Sequence, residues 1–200
     1  MYNPNKNVYW YVLFTRTGSE DRLASILTQM LKNDDCKIFI PKKQLIYRRG
    51  GKKELFSKIC FPGYIFIESY KSPNDFMANI VPMVYKHNNS YYFLYYTEKS
   101  DIAMHEDERI ALTKIIGNDY CINMSKAFKE GDSIKITQGP LIGFEGSISK
   151  INKKQNIAIV NINMFCTTIP VTVGMHIIDN NAKYNLQKSM LLTINSYNLL

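Results

Sequence analysis

Regular patterning begins with seven consecutive apolar residues, Val8-Tyr9-Trp10-Tyr11-Val12-Leu13-Phe14. A run without polar interruption, rich in β-branched and aromatic side chains, predicts a strand buried on both faces near the centre of a sheet. Past Thr15-Arg16 the period changes. Leu23, Ile26, Leu27, Met30 and Leu31 recur at i, i+3, i+4, i+7 and i+8, one apolar face of an amphipathic helix. Thr17-Gly18-Ser19-Glu20 has capping-box spacing, with Thr17 accepting from the backbone and Glu20 reaching back. Asn33-Asp34-Asp35 breaks the helix, and Cys36–Pro41 predicts a short strand.

Gln44–Arg49 and Lys52–Lys58 are β-type runs separated by Gly50-Gly51, which predicts a hairpin, since both turn positions of a type I′ turn need positive φ. The next stretch, Ile59-Cys60-Phe61-Pro62-Gly63-Tyr64-Ile65-Phe66-Ile67, is apolar and bent at Pro-Gly. Strand alternation puts Tyr64 and Phe66 on one side and Ile65 and Ile67 on the other. The aliphatic side suits a core; the aromatic side suits either the second half of that core or a surface for a partner.

Ser72 as cap, Pro73 at the first helical position and Asp75 in the first turn predict a second helix, with Phe76, Met77, Ile80 and Val81 buried and Pro82 as its stop. Met83–Lys86 predicts a short strand and 87–90 a turn. The run Tyr91-Tyr92-Phe93-Leu94-Tyr95-Tyr96 predicts a strand or hairpin packed on the sheet, with base stacking as the alternative. A third helix starts near His105, with Glu106, Asp107 and Glu108 at its positive end and Ala111, Leu112, Ile115 and Ile116 inward. Residues 1–116 therefore predict an α+β domain, a mostly antiparallel sheet flanked by helices. Residues 117–127 carry no period and predict a linker. From 128 to 180 short β-rich segments alternate with turns (133–137, 144–151, 156–163, 167–171, 175–178), the pattern of a small SH3-like β-barrel. Residues 181–200 form a tail, polar then apolar, with the character of a frayed helix.

Charge adds a partner to this outline. The net charge is +8, distributed as 12 basic against 5 acidic residues over 1–60, 5 against 8 over 61–125, and 8 against 4 over 126–200. Basic ends around an acidic middle suit a negatively charged partner, nucleic acid ahead of a membrane surface. The hairpin concentrates Lys42, Lys43, Arg48, Arg49, Lys52 and Lys53, and the second domain contributes Lys129, Lys135, Lys150, Lys153 and Lys154. A solvated charged tip that protects an edge strand has the same composition, and the sequence leaves the two readings open. Cys36, Cys60, Cys121 and Cys166 form no C-x-x-C pair and the three histidines no ligand spacing, so no metal and no cofactor are expected. The N-terminus lacks a secretory signal and no run is long enough to span a membrane, so a cytoplasmic protein is expected. No catalytic triad, phosphate loop or motif-spaced carboxylate pair appears, and a binding function is expected rather than an enzyme.

Two stretches together carry a family resemblance. Trp10–Glu20 with Phe61-Pro62-Gly63-Tyr64-Ile65-Phe66-Ile67 resembles the N-terminal domain of the NusG transcription elongation factors, and Phe128–Gly146 resembles the KOW motif that opens the family's C-terminal barrel. The resemblance implies docking on the clamp helices of RNA polymerase and suppression of pausing by holding the clamp closed. It assigns the docking pocket to Phe14, Tyr64 and Phe66, with Tyr11 nearby, and contact with the other jaw of the cleft to Asn74 and Asp75. Arg16 falls where specialised relatives such as RfaH contact non-template DNA. Met164 and Phe165 match the loop that meets Rho or a ribosomal protein; Cys166 and Thr167 follow where the family usually has Gly-Arg. The surplus of basic residues resembles the LoaP-type antiterminators, which implies an RNA hairpin in a leader transcript as a further partner; the protein itself is expected to be a monomer. A housekeeping NusG factor and a stand-alone KOW RNA-binding or ribosome-associated module are the alternatives. The β-branched residues of 157–171, with Pro170, favour strand over helix, so the second domain is expected as a barrel that leaves the docking pocket uncovered.

Overall fold

The computed structural model describes residues 7–86, 91–130 and 133–178. The expected turn at 87–90, the 181–200 tail and the side chains of Arg48, Arg49 and Lys129 lie outside the described residues. In chain order the elements are β1 (Tyr9–Phe14), α1 (Glu20–Met30), β2 (Cys36–Phe39), β3 (Lys42–Arg49), β4 (Lys52–Ile59), β5 (Tyr64–Ser69), α2 (Pro73–Tyr85), β6 (Tyr92–Phe93) and α3 (Glu106–Ile116). They continue with β7 (Cys121–Ile122), β8 (Ser125–Glu130), β9 (Ser133–Gln138), β10 (Ile148–Asn152), β11 (Ile157–Met164) and β12 (Thr167–Ile178). The architecture is α+β, as the periodicities predict.

The first sheet is antiparallel in the order β2-β5-β1-β6, with the unbroken apolar run of β1 in an interior position. Its two faces have different covers. Tyr11, Leu13, Ile65 and Ile67 share one apolar cluster with Leu23, Leu27 and Leu31 at the α1 side and Phe76, Ile80 and Val84 of α2. Trp10, Val12 and Phe66 belong to a second cluster with Phe39 and with Leu112, Ile115 and Ile116 of α3. This double cover is why β1 shows no alternation.

Local expectations fail where a tertiary contact outweighs them. Ile26 is 43% exposed instead of buried. The buried stripe of α1 is the narrow row Leu23, Leu27, Leu31, and Ile26 lies about 100° round the helix from Leu27. Pro82 does not stop α2, which runs on to Tyr85 and replaces the expected strand at 83–86. Pro82 forfeits one backbone hydrogen bond, but Val84 is fully buried beyond it, and the Tyr91 hydroxyl donates to the Val84 carbonyl at 2.8 Å. Thr17 does not cap α1. Ser19 holds the cap position without a side-chain bond, whereas Glu20 does reach back, to the Gly18 N–H.

The expected linker is structured. β7 pairs in parallel with β3, in a small sheet of order β4-β3-β7, and β8 already begins at Ser125. The second half is a five-stranded sheet of order β10-β11-β12-β8-β9. Here β12 is one long strand where two short ones were expected, and Glu145–Ser147 form a 3₁₀ turn before β10. Among the described residues the strand pairing does not close into a ring. The halves are packed together. The α3-side cluster continues through Ile122 into Ala127, Ile136, Val160 and Val173. Gly174 lies so close to β3 that a Cβ there would meet the Gln44 carbonyl at 2.6 Å and collide with Met124. No described helix is long and apolar enough to cross a membrane.

Candidate functional site

The site is built on the Pro62-Gly63 bend. The Tyr64 N–H donates to the Phe61 carbonyl at 3.1 Å, and Gly63 has φ +87°. Pro followed by a positive-φ glycine is the pattern of a type II turn. Space as well as φ demands glycine here: a Cβ would sit 2.8 Å from the Thr15 carbonyl oxygen and 2.9 Å from the Phe14 ring. The turn is tied to the β1–α1 connection by two bonds. Thr15 N–H donates to the Gly63 carbonyl at 2.7 Å, and Gly63 N–H donates to Glu20 Oε1 at 2.6 Å. Glu20 Oε2 accepts from Gly18 N–H at 2.7 Å. The Glu20 side chain therefore bridges two loops from a position that is 1% exposed. Burial alone would raise its pKa, but the backbone N–H donors at Glu20, Gly63 and Gly18 outweigh it and hold the carboxyl below the usual glutamate range.

These bonds fix Phe14 and Tyr64 at one end of the sheet, and the pairing of β6 with β1 adds Tyr92 beside them. Phe14 pairs across the strands with Tyr64 on β5 and with Tyr92 on β6. The Phe14 and Tyr64 rings meet edge to face with centroids 5.2 Å apart, and Phe14 and Tyr92 lie 5.4 Å apart. Phe14 and Tyr64 are half-buried and Tyr92 is 53% exposed. Burial raises the Tyr64 phenol pKa, and the neighbouring Tyr92 phenol adds to the rise. Strand alternation puts the three on the same sheet face as Val12 and Phe66. That face is covered over Trp10, Val12 and Phe66, and its cover thins at Phe14, Tyr64 and Tyr92.

Two expected pocket residues therefore move into the core. Phe66 is fully buried in the α3-side cluster, between Trp10 and Phe61, and offers no surface to a partner. Tyr11 is also fully buried, its ring stacked on Phe76 at 3.5 Å and its hydroxyl donating to the Lys71 carbonyl. Tyr92 takes their place at the surface. It was hidden in the aromatic run, although the alternation of buried Tyr91 and Phe93 around it is a strand signal that could have found it. Arg16 is exposed on the β1–α1 connection, two residues from Phe14. Asn74 and Asp75 are exposed in the first turn of α2, where Ser72 accepts from Asp75 N–H at 3.2 Å. They follow the far end of β5, about 17 Å from Tyr64 by strand rise, and so form a separate surface.

The hairpin forms as the Gly-Gly signal predicts, with φ +57° at Gly50 and +81° at Gly51. Its register sets cation against cation: Arg49 opposite Lys52, Arg48 opposite Lys53, and Lys43 opposite Lys58. Like charges directly opposite destabilise a hairpin. Lys42, Lys52 and Lys53 are exposed; Lys43 is half-buried, and burial lowers its pKa. Of the second-half lysines, Lys154 shares a cleft with the hairpin's Lys53. Lys150 and Lys153 are exposed on and just beyond β10, whereas Lys135 is on β9 at the other edge of the sheet order.

Met164 and Phe165 are not free either. They are 1% and 8% exposed, and Phe165 is held against the first half. Phe165 N–H donates to Glu108 Oε2 at 3.1 Å, and its ring stacks on Tyr96 at 4.7 Å. Tyr96 donates its hydroxyl to the same carboxylate and stacks its other neighbour, His105, at 3.6 Å. The turn that presents Phe165 is strained: Phe165 and Cys166 have φ +50° and +55°, unusual for residues with side chains. Among the described residues no group of His, Cys, Asp and Glu could hold a metal ion.

Comparison with known proteins gives this arrangement its relatives. The family described as "Transcription termination factor nusG" matches residues 8–111. The transcription termination/antitermination protein NusG of Thermus thermophilus is 24% identical over 178 residues, 82% of this chain and 94% of the relative. The corresponding protein of Pasteurella multocida is 23% identical over 170 residues, 81% and 89% of the two chains. A solved structure titled "Domain interaction in Thermotoga maritima NusG" covers 84% of this chain and 94% of its own, at 20% identity and a TM-score of 0.45. With a family match over more than half its length, the chain belongs to the NusG family.

Proposed function

We propose that the protein is a transcription elongation and antitermination factor that binds and does not catalyse. It docks on the clamp helices of RNA polymerase through Phe14, Tyr64 and Tyr92, with Asn74 and Asp75 reaching the other jaw of the cleft, and suppresses pausing and termination in the cytoplasm. The observation that carries this reading is the group of three rings at the sheet end, Phe14 and Tyr64 set by the Glu20-tied turn and Tyr92 by β6. Partly exposed aromatic anchors on a rigid strand end are the kind of residue that dominates protein–protein binding energy.

Recruitment through an RNA hairpin in a leader transcript, as in LoaP-type antiterminators, is the second part of the proposal. It is supported by the three like-charge pairs across the β3–β4 hairpin, which gain most from a bound polyanion. Arg16, beside the aromatic group, is assigned to the non-template DNA strand. Coupling to Rho or a ribosomal protein through Met164 and Phe165 requires the loop to leave Tyr96 and Glu108, and is not part of the proposal. In vitro transcription through an intrinsic terminator, with and without a structured leader, tests the reading. Readthrough that depends on the leader is the expected result; an effect of equal size without any leader contradicts recruitment, and no effect on either template contradicts the function.

A further inference from the structure

Between the β3–β4 hairpin and the β10–β11 turn lies a cleft of about 410 Å³, lined by none of the residues proposed for polymerase docking. Its volume falls within the range of about 300–1,000 Å³ common for small-molecule sites. Tyr47 and Lys53 line it from the hairpin; Lys154, Gln155, Asn156 and Thr172 line it from the second half. We propose that this cleft receives one unpaired nucleotide of RNA, its base stacked on Tyr47 and its flanking phosphates on Lys53 and Lys154. The inference rests on the RNA-recruitment reading and gives it a specific contact.

Each part of the lining fits that ligand. Tyr47 is 41% exposed and packs against Phe56 with the two rings at 75° and centroids 5.8 Å apart. The Lys58 ammonium lies over one face of the Tyr47 ring, 4.6 Å from its centroid, so the base is assigned to the opposite face. An aromatic ring braced in place beside cations is the arrangement that single-stranded nucleic acid favours, because every base has a π-face and every linkage a charge. Gln155 is oriented, with its carbonyl accepting from Asn152 Nδ2 at 2.9 Å, so that its own amide N–H groups remain donors. Asn156 adopts φ +54°, a conformation that asparagine tolerates better than most residues, and this turn carries the two amides into the cleft. Amide and hydroxyl groups here can meet a base edge and a 2′-hydroxyl, the group that separates RNA from DNA. The cleft exists only because the two halves pack together, so neither half alone holds the complete site.

Titration of the full chain into fluorescein-labelled ten-nucleotide oligouridine, matched oligodeoxyuridine and a paired RNA duplex tests the proposal. Tyr47→Ala is expected to weaken oligouridine binding about 5- to 150-fold and to leave the salt dependence unchanged, whereas Tyr47→Phe keeps the affinity. Lys53→Ala and Lys154→Ala are each expected to lower the slope of log affinity against log salt by about 0.7. If wild type binds oligouridine and the lysine variants weaken it but Tyr47→Ala does not, the cleft assignment fails and the basic-surface reading stands. If wild type binds neither RNA, the recruitment reading fails first. Equal, Tyr47-dependent affinity for oligodeoxyuridine overturns the assignment to RNA. A photocrosslink from 5-bromouridine, mapped on the wild-type chain, reads the site without any variant: attachment at Tyr47 supports it, and attachment only elsewhere overturns it.

Discussion

Glu20 does more for the proposed docking surface than any residue within it. Its carboxylate holds Gly18 and Gly63 together, and through Gly63 it fixes where Phe14 and Tyr64 meet. Glu20→Gln keeps one acceptor and loses the charge, so unfolding in urea is expected to show a loss of about 1–3 kcal/mol. The pH dependence has a definite sign. A carboxyl held below its ordinary value contributes stability that is complete above about pH 4.3 and is lost as pH falls through the lower folded pKa. Urea melts at pH 7 and pH 3 are therefore expected to differ less for Glu20→Gln than for wild type; equal differences would assign the bridge no electrostatic role. Gly63→Ala meets both the positive φ and the Thr15 carbonyl, and is expected to destabilise by about 1–3 kcal/mol. Capping spacing made the reach of Glu20 legible in the sequence. Its second partner, 43 residues away, was not, because nothing local marks which distant loop will approach a helix start.

The secondary elements divide the same way. β1, the β3–β4 hairpin, β5 and α3 were legible because each obeys one strong local rule: an unbroken apolar run, a Gly-Gly turn, alternation after Pro-Gly, acids before a 3.6-residue period. The extent of α2 was not, since Pro82 outvotes its neighbours locally and loses only to the burial of Val84. Phe66 and Tyr11 were misplaced at the surface for a related reason. A strand's alternation tells which residues share a face, but helices elsewhere in the chain decide how much of each face is covered, α3 over Phe66 and α1 with α2 over Tyr11. The hairpin offers a separation of function from stability. Replacing Arg48, Arg49, Lys52 and Lys53 with Ala removes two directly opposed cation pairs, so the thermal midpoint is expected to hold or rise while RNA affinity falls and its salt dependence flattens. Unchanged affinity would return the hairpin to the role of a charged, solvated edge.

In the whole molecule the two halves act as one surface-bearing body, joined where Phe165 meets Tyr96 and Glu108 and where Gly174 meets β3. Desolvation, followed by the bond to Glu108, raises the Tyr96 phenol pKa, so Tyr96 remains a donor throughout the neutral range. Phe165→Ala removes the stacked ring, and small-angle scattering is expected to show a larger radius of gyration with little change in the thermal midpoint of either half; an unchanged radius would mean that the shared apolar cluster and the Gly174 contact hold them without it. The most direct test of the central claim is the affinity of the full chain for core RNA polymerase, wild type against Tyr64→Ala and Tyr92→Ala, with Ile142→Ala, as exposed as Tyr92, as control. We predict a loss of about 10-fold or more for each tyrosine variant and none for Ile142→Ala. Wild-type affinity in both tyrosine variants, or no binding by the wild-type chain, would contradict docking through this aromatic group.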